Sequence, residues 1–299
     1  MPSAVASLDD PGLMALSPQD LPVTALAWLP CHRLIASRYP TVGLYDEIAR
    51  PQDLDVVFAI EALTNPRVRQ ALGALSLVLP ADRVSGPGAT LIMAAFTHLN
   101  PEGSRFSDGS YGVYYAADTL ETAVAEVSHH RARFLARTDE PEIDVDLRWI
   151  QADLRQPAHD LRATAWATDA WPTEVSPTDA SPTDAGPIEP LRAGVSAHRS
   201  NSQSASRSTS QSASLSAIYH PEHYAAGQAL GRALRDAGSA ALAYDSVRRA
   251  GGQCVAVFVP RALANARPAG HLSLHWDGQR ISHWFEKSEP HAIGPRVWR

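Results

Sequence analysis

Three stretches, far apart in the chain, each set polar side chains at the end of an apolar run. They are Gly103-Ser-Arg-Phe106, the step from Tyr115 to Glu126, and Tyr244-Asp-Ser-Val-Arg248. Among them stand a guanidinium (Arg105), a carboxylate (Glu126), a hydroxyl (Ser246) and an aromatic ring (Tyr115). A fixed carboxylate can stabilise positive charge that develops during a reaction. A guanidinium can donate two parallel hydrogen bonds to a phosphate, and an aromatic face attracts a cation. Each residue also has a plainer reading. Glu126 fits a solvated helix flank, Arg105 a surface charge in a polar turn, and Tyr115 a packed core residue. Ser246 could simply cap a turn through its hydroxyl. Arg248 and Arg249 fit a solvated pair, although Arg248 is near enough to Ser246 to touch a phosphate.

The histidines invite a metal reading. His129-His130 follows Glu126 by three residues, and His220-Pro-Glu-His223 has HxxH spacing. A zinc site needs three or four convergent ligands. Neither pair has a Cys or Asp partner at a recognised spacing, so no metal is expected.

Local patterns then suggest the elements that hold these groups. Tyr111 to Ala117 reads as a strand and Asp118 to Leu135 as a helix, with Asp118 as N-cap and Glu121 completing a capping box. Leu120, Ala123, Val124 and Val127 form one apolar stripe, and Glu126 lies on its flank. Pro221 to Gly238 reads as a second helix with Ala225, Ala229, Leu230 and Leu234 apolar. Ala240 to Tyr244 and Gln253 to Val259 read as strands. Arg280 to Phe285 follows His271 to Trp276 across Asp277-Gly278, a favoured hairpin turn. Trp276 and Trp284 beside it fit core or hairpin packing. Earlier, Cys31 to Pro40 reads as a strand leading into a turn. Asp53 to Leu72 has helical spacing, with Val56, Val57, Ile60 and Leu63 on one side and an interruption at Asn65-Pro66. Thr90 to His98 fits either a strand or a buried helix. Short strands mixed with a few helices point to an α+β fold. No strand-linked GxGxxG or GxxxxGK[ST] occurs, which removes the main support for Rossmann and P-loop readings.

The chain has 299 residues, 44% of them hydrophobic and 19% charged, with a formal net charge of -6. That balance offers no whole-protein attraction for nucleic acid, and no stretch approaches the roughly 20 apolar residues needed to span a bilayer. The two cysteines, Cys31 and Cys254, support no disulfide framework and favour a reducing compartment. Met1 to Leu16 carries Asp9 and Asp10 and no basic n-region, unlike a secretory signal. A cytoplasmic location is therefore expected. Residues 1–20 read as a loose leader and 21–299 as one domain interrupted at 163–216. Within that interruption, eight of the sixteen residues 201–216 are serine. Such a segment cannot bury enough apolar area to offset ordering entropy of about 1–2 kcal/mol per residue. It reads as a disordered insertion, or alternatively as a linker between two domains.

In this order and at this spacing, the three polar stretches resemble the RES domain family, named for its arginine, glutamate and serine. The resemblance runs from about Arg33 to Phe285. Its most specific parts are the Tyr115–Glu126 step and the Tyr-x-Ser-Val-Arg segment followed by Cys254-Val-Ala-Val-Phe258. One departure is Gly103-Ser-Arg-Phe106, where Gly-Gly-Arg-Trp is commoner. The resemblance implies an ADP-ribosyltransferase-like mixed sheet and a toxin that cleaves the nicotinamide–ribose bond of NAD by hydrolysis or phosphorolysis. Glu126 and Arg105 would be the catalytic pair, and Arg33, Tyr115 and Ser246 would bind NAD, with Arg38 able to take the place of Arg33. Tyr115 would stack on the cationic nicotinamide, and Ser246 would bind a phosphate or the nicotinamide amide. No resident cofactor is implied; NAD is the substrate, inorganic phosphate a candidate co-substrate, and an Xre-like antitoxin the partner. A protein ADP-ribosyltransferase and a catalytically silent nucleotide- or partner-binding module remain the alternatives.

Overall fold

A computed structural model describes residues 16–28, 30–38, 43–46, 50–64, 73–162 and 213–288. In chain order it contains β1 (Val23–Thr24), β2 (Cys31–Ala36), α1 (Leu54–Thr64), α2 (Ala89–Thr97), β3 (Tyr114–Ala117) and α3 (Leu120–Leu135). There follow β4 (Ile143–Leu154), β5 (Ala158–Asp160), α4 (Ala225–Asp236), β6 (Ala241–Asp245), β7 (Gln253–Val257), β8 (Leu263–Trp276) and β9 (Ile281–Glu286). The nine strands form one sheet in the order β1-β5-β6-β7-β3-β2-β4-β8-β9. Every pairing is antiparallel except β5 with β6. The fold class is α+β.

Strand alternation builds a core on each face of this sheet. Leu242, Tyr244, Cys254 and Ala256 pack on one side with Leu120, Ala123 and Val124 of α3 and Leu230 and Leu234 of α4. Their neighbours Ala241, Ala243, Val255 and Val257 pack on the other side with Leu54 and Phe58 of α1 and Ile92, Met93 and Phe96 of α2. Strands covered on both faces need apolar residues at every position, which explains the unbroken runs of β6 and β7. Helix–sheet–helix layering is the result.

Several expectations shift in detail. The N-cap of α3 is Thr119, whose hydroxyl accepts from the Thr122 amide, rather than Asp118. Asp118 instead continues the strand pairing, donating its amide to the Gln253 carbonyl at 3.0 Å. Residues 90–97, which fitted a strand or a helix, are helical. The helix expected from Pro221 starts only at Ala225, leaving 219–224 as irregular backbone. Its buried face is lined by Gly227, Leu230, Gly231 and Leu234 in place of the expected alanines. α1 turns Leu54 and Phe58 inward, while Val56 is 64% exposed. The long strand β4, not anticipated, lies between β2 and β8. Leu16 and Leu21 belong to the core, so packing begins before residue 21. Of the serine-rich stretch, residues 213–216 are helical with Ser214 buried, while 163–212 lie outside the described residues. So do Pro40 and Asn65-Pro66.

Candidate functional site

The site grows from the end of β6. Beyond Asp245 the chain turns, with the Ser246 amide donating to the Gly252 carbonyl at 2.8 Å and the Gly252 amide to the Arg249 carbonyl at 3.0 Å. The Ser246 oxygen accepts from the amides of Arg248 and Arg249, each at 3.1 Å. Its lone pairs are thereby occupied, and its proton goes to Glu126 Oε1 at 2.6 Å. α3 supplies Glu126 from the flank of its apolar stripe, because the same helix packs Ala123 and Val124 onto the sheet. Oε2 of Glu126 has no hydrogen-bond partner among the described residues. The Cys254 thiol stands 4.0 Å from the same Oε1. Burial, then the nearby Glu126 charge, push that thiol well above its ordinary range, so it stays protonated.

Arg105 and Tyr115 come from the turn before β3 and from β3 itself. The Tyr115 hydroxyl accepts from the Phe106 amide at 3.0 Å and pairs with the Ser104 hydroxyl at 2.8 Å. Burial pushes this phenol up to about 12, keeping it neutral. Phe106 in turn meets the edge of the Tyr244 ring, with centroids 4.9 Å apart, two residues before Ser246. A Cβ on Gly227 or Gly231 would stand 2.4 Å from the Arg105 carbonyl oxygen or 2.2 Å from that of Phe106. Only glycines at these two positions let α4 lie directly on the 105–106 backbone. Arg105 is buried, its Nη1 donating to the carbonyls of Ile218 at 2.9 Å and His220 at 3.0 Å. Its guanidinium lies over the Tyr224 ring, 4.8 Å from the centroid. Nε and Nη2 have no hydrogen-bond partner among the described residues.

Arg105, Tyr115, Glu126 and Ser246 thus share one face of the sheet, with Ser246 and Glu126 in direct contact. Arg33 is not brought to them. Its guanidinium lies over the ring of Tyr114, 4.5 Å from the centroid, in the layer shared with α2. There its Nη1 donates to the Tyr115 carbonyl at 2.9 Å. Arg38 is exposed in the turn after β2. The HxxH pair is engaged in shaping backbone: His220 Nδ1 accepts from the amides of Glu222 at 3.0 Å and His223 at 2.9 Å. Tyr224 and Tyr244 were not singled out from the sequence as parts of the site. Tyr244 had a readable signal, since it ends the strand that delivers Ser246; Tyr224 had none, because its partner is fixed only by the fold.

A two-faced mixed sheet that gathers a carboxylate, a hydroxyl and a guanidinium on one side describes an α+β domain with a polar site on that face. The model of the RES domain family matches residues 80–277, well over half of the chain. This chain belongs to the RES domain family. It is also similar to a protein of Sinorhizobium fredii (strain NBRC 101917 / NGR234) described as "Uncharacterized protein y4oC", at 36% identity over 131 residues. That match spans 44% of this chain and 56% of the relative.

Proposed function

We propose that this protein cleaves the nicotinamide–ribose bond of NAD, passing the ADP-ribosyl group to water or inorganic phosphate. In this reading it is the cytoplasmic toxin of a toxin–antitoxin pair, restrained by an Xre-like antitoxin, and it needs no resident cofactor. The observation that carries the reading is the Ser246–Glu126 hydrogen bond of 2.6 Å on the face that also holds Arg105 and Tyr115. Family membership supports it.

Breaking the bond sends its electron pair to the nicotinamide nitrogen, which leaves neutral, and positive charge develops at the ribose. A carboxylate held in advance stabilises that charge without reorganising, which is the larger part of such catalysis. Ser246 does the holding: its proton fixes Oε1 and leaves Oε2 for the ribose. The remaining N–H donors of Arg105 suit a phosphate oxygen. Tyr115, neutral and tied at its hydroxyl, presents a ring to the cationic nicotinamide.

Incubating the purified chain with NAD, with and without phosphate, and separating the products tests the proposal. Nicotinamide release is expected in at least one condition. Folded protein that releases none in either condition contradicts it. Radiolabel that appears on a cellular protein, with little free ADP-ribose, would make a protein the acceptor.

A further inference from the structure

Past Glu126, the same stripe of α3 carries His129 and Arg133, three and seven residues on. Side chains at these intervals share a helix face, and seven residues of helix advance about 10 Å. A patch of nitrogen donors therefore begins near the carboxylate and extends about 10 Å along the helix. Arg248, two residues after Ser246, completes the patch. All three side chains converge on one group, the carboxylate of Glu222. Arg133 Nη1 is 2.7 Å from Oε2, His129 Nε2 is 3.3 Å from Oε1, and Arg248 Nη2 is 3.7 Å from Oε1.

Glu222 fits this place poorly. The His129 Nε2 atom is buried and has no aligned hydrogen-bond partner among the described residues, despite the nearby carboxylate. Burial and the Arg248 charge hold the imidazole below its ordinary range, so at neutral pH it is an uncharged ring. Two guanidiniums face one negative charge, with Arg105 close by. The backbone that carries Glu222 uses the same cations: Arg105 takes the carbonyls of Ile218 and His220, and Arg248 takes that of Pro221 at 2.5 Å. The Glu222 side chain is 42% exposed, and partly solvated ion pairs of this kind contribute little to stability. The contact is therefore easily exchanged for a better anion.

We infer that Arg133, Arg248 and His129 form a diphosphate subsite, and that Glu222 fills it as an internal stand-in that a dinucleotide must displace. The inference rests on the NAD reading for the identity of the dinucleotide, but the subsite itself is testable without turnover. The probes are inorganic pyrophosphate and ADP-ribose, titrated calorimetrically into the full chain. Removing an internal competitor raises the competent fraction, so Glu222→Gln should bind pyrophosphate about tenfold more tightly than wild type. Arg133→Gln and Arg248→Gln should each weaken it by about tenfold. ADP-ribose should follow the same order, and the KM for NAD should fall in Glu222→Gln. Thermal melts of each variant exclude unfolding. Unchanged affinity for pyrophosphate in Glu222→Gln, or wild-type affinity in both arginine variants, overturns the inference. Affinities that respond while no nicotinamide is ever released would keep the subsite and remove the NAD chemistry. Nicotinamide release with unresponsive affinities would do the reverse.

Discussion

Glu126 and Ser246 are 120 residues apart in sequence and share a 2.6 Å hydrogen bond whose direction is fixed by two backbone amides on the serine oxygen. If the carboxylate stabilises the developing ribose cation, Glu126→Gln should lower the rate of nicotinamide release by about 100-fold or more. Its melting temperature should stay near that of wild type, because the residue is only part-buried. Ser246→Ala leaves the carboxylate in place but unanchored. Loss of one such hydrogen bond, worth about 1 kcal/mol, predicts a kcat roughly fivefold lower. The types and order of these residues were legible in the sequence; their contacts were not. Ser246 was expected to bind a phosphate or the nicotinamide amide, yet its proton is given to Glu126. Arg33 was expected at the site, yet period-2 alternation turns it to the other face, over Tyr114.

Two glycines decide how α4 meets the turn that bears Arg105. With the Cβ of residue 231 only 2.2 Å from the Phe106 carbonyl oxygen, Gly231→Ala must push helix and turn apart. Overpacking of this kind costs about 1–3 kcal/mol, and chemical denaturation should register it together with reduced nicotinamide release. At the edge of the sheet, Arg162 donates two hydrogen bonds to the buried Asp160, from Nε at 2.8 Å and Nη2 at 2.6 Å. Burial alone would raise this carboxyl, but the Arg162 hydrogen bonds and charge hold it below its ordinary range. A depressed carboxyl contributes stability in full above the unfolded value of about 3.9, and that contribution is lost as pH falls through the folded pKa. Asp160→Asn should therefore be less stable than wild type at neutral pH and should lose less stability on acidification below about pH 4. At this scale the sequence was readable where one residue pattern dominates. The α3 stripe, the Asp277-Gly278 hairpin and the runs of β6 and β7 all formed. It misled where packing chooses between equals: Thr119 displaced Asp118 as cap, and Pro221–Tyr224 stayed irregular, with Arg248 taking the Pro221 carbonyl and Arg105 that of His220 just before it. The alternation of Ile143-Asp-Val-Asp-Leu-Arg-Trp149 is a period-two strand signal, and β4 begins there.

The family match begins at residue 80, yet β2 lies between β3 and β4 and closes the sheet with residues outside that match. The folded unit is thus larger than the matched region. The described strands on either side of residues 163–212 pair directly, β5 with β6. The Tyr219 hydroxyl donates to the Leu161 carbonyl at 3.0 Å and accepts from the Asp245 amide at 3.1 Å, tying the two flanks together. Closing a shorter loop changes the entropy only slowly with length. Replacing 163–212 by a short glycine–serine linker should leave solubility, melting temperature and NAD turnover close to wild type. Extending the deletion through residue 224 should abolish both folding yield and turnover, because Ile218, Tyr219 and Tyr224 are lost with it. Composition marks the serine-rich stretch in the sequence, but not where the described fold resumes, since Ser214 is buried despite its serine-rich neighbours. The most direct test of the whole account is the rate of nicotinamide release from NAD by the full chain, measured beside Glu126→Gln at matched concentration and confirmed folding. Steady release by the wild type, falling by about 100-fold in the variant, is the predicted result. Equal rates in the two proteins, or no release by either, would contradict it.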